Sequence, residues 1–185
     1  MAPKIIIKYS RVYAENLYRG QEDFNIVWGR VKKAGEQFEA ALAPVLNKIL
    51  KYIPKFSGYK WEEHAISSYI DVYIVNYFPS FSVPLTLTAD KNAKRMLAIF
   101  IHELCHNNMP FDFKNRSLQE YVMNSVTQRL AEELEDEELE TEIRKIIERT
   151  RLKVYSSEFK EPSFELDKKT VKQYLSDMNF DKIKS

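Results

Sequence analysis

The chain has 185 residues, 44% of them hydrophobic and 30% charged, and its 28 basic and 27 acidic residues leave a net charge of +1. That length and apolar share suffice for one buried core with an appended segment, and the mixed charge excludes the field that draws nucleic acid or a membrane surface. Cys105 is the sole cysteine, Met1 to Lys8 lacks a signal-peptide core, and no stretch approaches the ~18 to 20 apolar residues of a membrane span, so the reading is a cytoplasmic protein with no nucleic-acid and no membrane partner.

From Asp23 to Ile53, Val27, Val31, Phe38, Leu42, Val45, Leu46, Ile49 and Ile53 recur at three- and four-residue spacings, which predicts a long amphipathic backing helix. Pro44 should kink it or divide it at Ala43-Pro44, and Pro54 should end it. From Tyr59 to Thr88 the pattern changes. Tyr69 to Phe78 is β-branched and aromatic, Phe78-Pro79-Ser80 reads as a turn, and Ser82 to Thr88 reads as the returning strand. Pro84 favours a sheet edge, and an edge strand can accept an extended peptide, so Val83, Leu85 and Leu87 are candidate substrate-binding residues.

Asp90 is the expected N-cap of a helix from about Lys91 to Asn108, ended by Met109-Pro110. Met96 to Ile101 is apolar on all sides, which predicts a buried helix. His102-Glu103-Leu104-Cys105-His106 follows at its carboxyl-terminal end. Helical residues four apart lie one above the other with Cβ atoms ~6 Å apart, so both imidazoles of an HExxH pentad can reach one metal ion while Glu103 sits beside it as a general base. Phe111 to Arg116 is expected as a loop, and Ser117 as the cap of a helix carrying Leu118, Val122, Val126, Leu130 and Leu134. The acidic run Glu132 to Glu142 reads as a solvated face with a joint near Asp136, the helix then continuing to Thr150. Beyond Arg151 an extended polar and aromatic stretch with Phe159, Pro162 and Phe164 precedes a short terminal helix over Thr170 to Met178.

A catalytic zinc site uses three protein ligands with water in the fourth position, so two histidines need a third partner. His64 lies far upstream, no histidine follows shortly after His106, and Glu120 on the next helix is the better candidate, with Glu132 and Glu133 as substitutes. The competing reading of Glu120 is a capping box with Ser117. Asn124, one turn beyond Glu120, is placed to hydrogen-bond a ligand imidazole from behind. Cys105 points away from the pentad's two histidines and reads as a buried apolar side chain, and the tyrosines, Tyr121 among them, read as core or strand residues.

HExxH on a buried helix, then a short loop and a helix bearing Glu120 and Asn124, resembles the zincin metallopeptidases of the gluzincin branch, and among them the archaeal minigluzincins and the compact ImmA/IrrE type. The resemblance is specific over Ala89 to Leu134 and leaves the tail uncovered; many gluzincins differ in carrying a longer insertion between the second histidine and the glutamate. It implies an α+β, zincin-like fold: a backing helix, a small, mainly antiparallel-edged sheet, the HExxH helix and the glutamate helix. It also implies a peptidase domain over residues 1–153, with a C-terminal extension over 154–185 covering the cleft of a latent enzyme. The expected activity is zinc-dependent hydrolysis of a peptide or protein substrate, with one Zn²⁺ per chain on His102, His106 and Glu120 and with Glu103 as base. The alternative is a zincin-like regulatory module that holds metal and cleaves nothing. Neither the oligomeric state nor the group that stabilises the tetrahedral intermediate can be read from the residues.

Overall fold

The structure is a computed structural model, and it describes residues 3–9, 11–17, 20–61, 68–73, 86–88, 92–109 and 115–178. In chain order the elements are β1 (Ile5–Lys8), α1 (Arg11–Leu17), α2 (Phe24–Leu42), α3 (Leu46–Ser57), β2 (Ser68–Tyr73), β3 (Thr86–Thr88), α4 (Ala93–Asn108), α5 (Arg116–Leu134), α6 (Glu137–Val154) and α7 (Val171–Asp177). The described residues are predominantly helical, which overturns the expected α+β architecture. Helices supply almost the whole core, and three short strands form only a small ladder in the order β1-β2-β3.

That ladder also departs from the expected antiparallel edge. Ile5 pairs with Ser68 and Asp71 with Thr86, both in parallel register, so β2 and β3 are not the arms of a hairpin. Alternating β-formers predict that a strand exists, but its direction is set by where the connecting chain returns, which composition does not encode. The expected turn at Phe78-Pro79-Ser80 and most of the returning strand lie outside the described residues.

α2 begins at Asp23, whose carboxylate accepts from the Asn25 amide at 2.7 Å, and its buried stripe Val27, Val31, Ala34, Phe38 and Leu42 follows the helical period. It ends at Leu42, just before Ala43-Pro44, and α3 starts at Leu46. Pro54, expected to stop α3, instead lies inside it, and the helix runs on to a left-handed Gly58 with φ 78°. A proline at this position leaves the carbonyl four residues earlier without its helical donor. That carbonyl belongs to Leu50, and the Trp61 indole N–H donates to it at 2.8 Å. Trp61→Phe keeps the ring but strips this buried acceptor of its donor, and should lower stability by about 1–3 kcal/mol in urea denaturation.

α4 is wrapped by α2, α3, α5, α6 and β3. Met96, Leu97, Phe100, Ile101 and Leu104 are fully buried on it, and Phe100 meets Phe38 of α2 edge-on, with centroids 5.5 Å apart. α5 and α6 are separated at Glu135, which takes a left-handed φ of 54°, and by Asp136, which accepts from the Leu139 amide at 3.0 Å as N-cap of α6. Asp136 also binds Lys94 of α4, tying the joint to the central helix. Burial works to raise the Asp136 carboxyl, but the Lys94 ammonium and the Leu139 amide outweigh it and hold the group below its ordinary value. A lowered carboxyl contributes stability above its unfolded pKa and loses it as pH falls through the folded one. Asp136→Asn keeps the cap and removes the charge, so it should cost about 1 kcal/mol at neutral pH, with the difference shrinking below roughly pH 4 in paired denaturation curves.

The chain after α6 packs back onto this body. Phe159, Phe164 and Leu166 lie half-buried against the core, and α7 buries Val171 and Leu175 and touches α3. Thr170 and Gln173 form a capping box that starts α7. Among the described residues, no helix is long and apolar enough to cross a membrane.

Candidate metal centre

α4 is capped by Asn92, whose Oδ1 accepts from the Arg95 amide at 3.0 Å; the expected cap, Asp90, lies outside the described residues. The helix therefore keeps its period through the pentad, and the rings of His102 and His106 meet edge-on with centroids 4.8 Å apart. Their Nε2 atoms approach to 3.1 Å. Glu120 of α5 closes the figure: its Oε2 lies 3.3 Å from His102 Nε2 and 3.7 Å from His106 Nε2. The three side chains form a group that could hold a metal ion.

The capping-box alternative for Glu120 fails on the same geometry. Asn115 caps α5, accepting from the Leu118 amide at 3.1 Å, which leaves Ser117 in the helix and Glu120 free to face α4. Ser117 has another task. Its Oγ donates to the Val154 carbonyl at 3.2 Å and accepts from the Ser156 amide at 3.0 Å, clamping the backbone on both sides of Tyr155. Ser117, Glu120 and Asn124 thus read along one face of α5.

The donor set fits a divalent ion. A tetrahedral ion bonded at ~2.0 to 2.1 Å to nitrogen and oxygen has ligand-to-ligand edges of about 3.3 Å, close to the observed triangle. The side chains of His102 and Glu120 are only 9% and 7% exposed, so the group is largely shielded from bulk water. His102 Nδ1, Glu103 Oε2 and Asn124 Oδ1 are buried without a hydrogen-bond partner among the described residues. Such a concentration of unsatisfied polar atoms is costly in a core and characteristic of sites that complete themselves with a ligand.

Charge within the group is uneven. Burial pushes His102 toward neutrality, but its hydrogen bond to Glu120 and the charges of Glu103 and Glu120 reverse this and raise it. Burial wins at His106, with the charge of His102 adding to it, and lowers that imidazole despite Glu120. Burial alone would raise Glu120, yet its two imidazole partners hold it well below the ordinary carboxylate range. Glu103 is pushed up to about 7, chiefly by burial, with His102 opposing and Glu120 adding. A carboxyl in that range can both take and give a proton near neutrality.

Other candidates separate cleanly from this cluster. Glu132 and Glu133 bind Arg129, at 3.1 and 2.7 Å, and are not in the ligand group. Cys105 is fully buried with the Thr127 hydroxyl 3.5 Å from its sulfur, and burial pushes its thiol up to about 12, so no thiolate is available there. Tyr121 donates to the Pro162 carbonyl and packs against Tyr155, Phe159 and Phe164, away from the donors. Asn124 is buried, but its Nδ2 donates to Tyr155 Oη at 3.3 Å and not to a histidine ring. His64, Val83 and Leu85 lie outside the described residues; Leu87 is in β3, paired with Val72. Sequence reasoning missed Tyr155 and the clamp by Ser117, because nothing local links residues so far apart.

Compared with models of known protein families, with curated proteins and with solved structures, the chain matches none of them.

Proposed function

We propose that this chain is a zinc-dependent peptidase whose metal is held by His102, His106 and Glu120. The observation that carries the reading is the buried triangle of two imidazole nitrogens and one carboxylate oxygen, 3.1, 3.3 and 3.7 Å apart, with Glu103 next to His102 on the same helix. Two nitrogens and one oxygen suit zinc better than the all-oxygen cages of calcium or magnesium. When bound, zinc supplies a Lewis acid for the scissile carbonyl and brings the pKa of a water to about 7.

The protein's own groups perform the proton transfers. Glu103 accepts a proton from the attacking water and delivers it to the leaving nitrogen as the peptide C–N bond breaks. Coordination through Nε2 would leave the imidazole proton on Nδ1, and His102 Nδ1, without a hydrogen-bond partner among the described residues, would then need an acceptor. Asn124 Oδ1, buried one turn beyond Glu120 and without a partner among the described residues, has the chemistry of such an acceptor. The substrate is an extended peptide or protein segment, for which β3, at the end of the described ladder and against α4, is the candidate strand.

The near-complete burial of all three donors also suits a second reading, a module that holds metal without turnover. Incubating the chain with unstructured peptides, beside its Glu103→Gln variant, separates the two. Cleavage by the wild type that the variant lacks supports the peptidase, and equal absence of cleavage leaves the metal-holding module.

A further inference from the structure

We infer that the outer face of α3, together with the lysines that α7 brings to its carboxyl-terminal end, is a docking surface for a short acidic segment of a partner protein. It binds such a segment whether or not the metal centre is occupied.

The charge of this chain is balanced in total but not in place. Between Glu39 and Glu62 the sequence holds Lys48, Lys51, Lys55 and Lys60 and no acidic residue. Lys48, Lys51 and Lys55 are three and four residues apart, so they share one face of α3, and all three are exposed. Ile49, Leu50, Ile53 and Phe56 hold the other side of the helix in the core, which fixes the lysine stripe toward solvent.

α7 extends this surface. Gly58 ends α3 with a left-handed backbone, and a Cβ added there would strike Thr170, so the start of α7 lies directly against the end of α3. Lys172 thereby reaches over the Tyr59 ring, 5.4 Å from its centroid, and Lys55, Lys168 and Lys169 border a hollow of about 220 Å³ between the two elements. Glu133, Glu165 and Asp177 pair with Lys55, Lys168 and Lys169. Lys48, Lys51 and Lys172 have no acidic partner among the described residues, so the excess positive charge sits on either side of Lys55.

Such a face attracts polyanions, and two features select an acidic peptide segment over nucleic acid. The ammonium groups of Lys51 and Lys55 lie over the Tyr52 ring, at 5.8 and 5.0 Å, as Lys172 does over Tyr59, so these rings are not open platforms for bases. The carboxylates of Glu133, Glu165 and Asp177 stand within the same surface, which limits the field to a short stretch and repels a long phosphate chain. From Lys48 to Gly58 a helix rises about 15 Å, the length of about four or five residues of extended peptide.

The experiment is fluorescence anisotropy of a labelled hexaglutamate peptide titrated with the full chain at low salt, with circular dichroism of each variant alongside. Lys48→Glu with Lys51→Glu turns two attractions into repulsions and should weaken binding about 10-fold or more. Lys32→Glu with Lys33→Glu changes the net charge equally on exposed positions of α2 and should stay within about 3-fold of the wild type. Lys48→Gln with Lys51→Gln, which introduces no repulsion, should fall between the two and keeps the test open if the reversed pair misfolds. Equal losses from the α2 and α3 pairs would mean that the peptide senses only net charge, and would overturn the inference. Wild-type protein that leaves the peptide free at millimolar concentration would overturn it as well. Tighter binding of an oligothymidylate of the same charge would replace the acidic segment with nucleic acid as the partner.

Discussion

Glu103→Gln is expected to lower peptide hydrolysis by roughly 10²- to 10⁴-fold while leaving one zinc per chain, because it removes a proton acceptor without removing a ligand. The neutral amide nearly preserves the shape of a side chain that is 5% exposed and packed beside the donors, so the fold should not change. Turnover and metal content are therefore separable in this variant. Peptide cleavage by zinc-loaded protein, followed by mass spectrometry, checks the first, and elemental analysis checks the second. Turnover undiminished in Glu103→Gln would remove Glu103 as the base; loss of zinc would mean that Glu103 helps to build the site.

The second large effect belongs to the ligands. His102→Ala and Glu120→Ala should each reduce zinc from about one per chain to none detectable after gel filtration at neutral pH, since two remaining donors make a poor site. Binding and stability are linked. Zinc at a thousand times its dissociation constant stabilises the wild type by about 4 kcal/mol, and neither variant should gain this. Thermal unfolding with and without added zinc checks the difference. A wild type whose melting temperature ignores both zinc and chelator would leave the donor triangle without a ligand.

Much of the centre was legible because it is local. The pentad needs only a helix to bring His102 and His106 together, and a run as apolar as Met96 to Ile101 makes that helix buried. Glu120 was harder, since Ser117-x-x-Glu120 carries a cap signature as well as a ligand. The ambiguity fell to Asn115, a better-placed cap two residues earlier, whose side chain releases Ser117 and Glu120 for other contacts. Tyr155 could not have been read at all. It lies 31 positions from Asn124, and the link between them depends on the turn of chain after α6.

The fold was less legible than the site for the same reason. Helical periodicity placed α2 to α6 well, but the parallel direction of the ladder and the entry of β1 beside β2 are non-local choices. Pro54 shows the limit of a local rule from another side. A proline costs a helix one hydrogen bond, and Trp61, seven residues further on, restores a donor to the carbonyl left behind.

The enclosure of α4 by five other elements has a kinetic consequence. Its amides, from Leu97 through Cys105, can meet solvent only if several interfaces open together, so their hydrogen exchange should report the unfolding of the whole body. α7, with only Val171 and Leu175 buried, should exchange through smaller openings and much sooner. The histidine pair is thus mounted on the part of the molecule that moves last, and any adjustment to an arriving peptide has to be made by the elements around it.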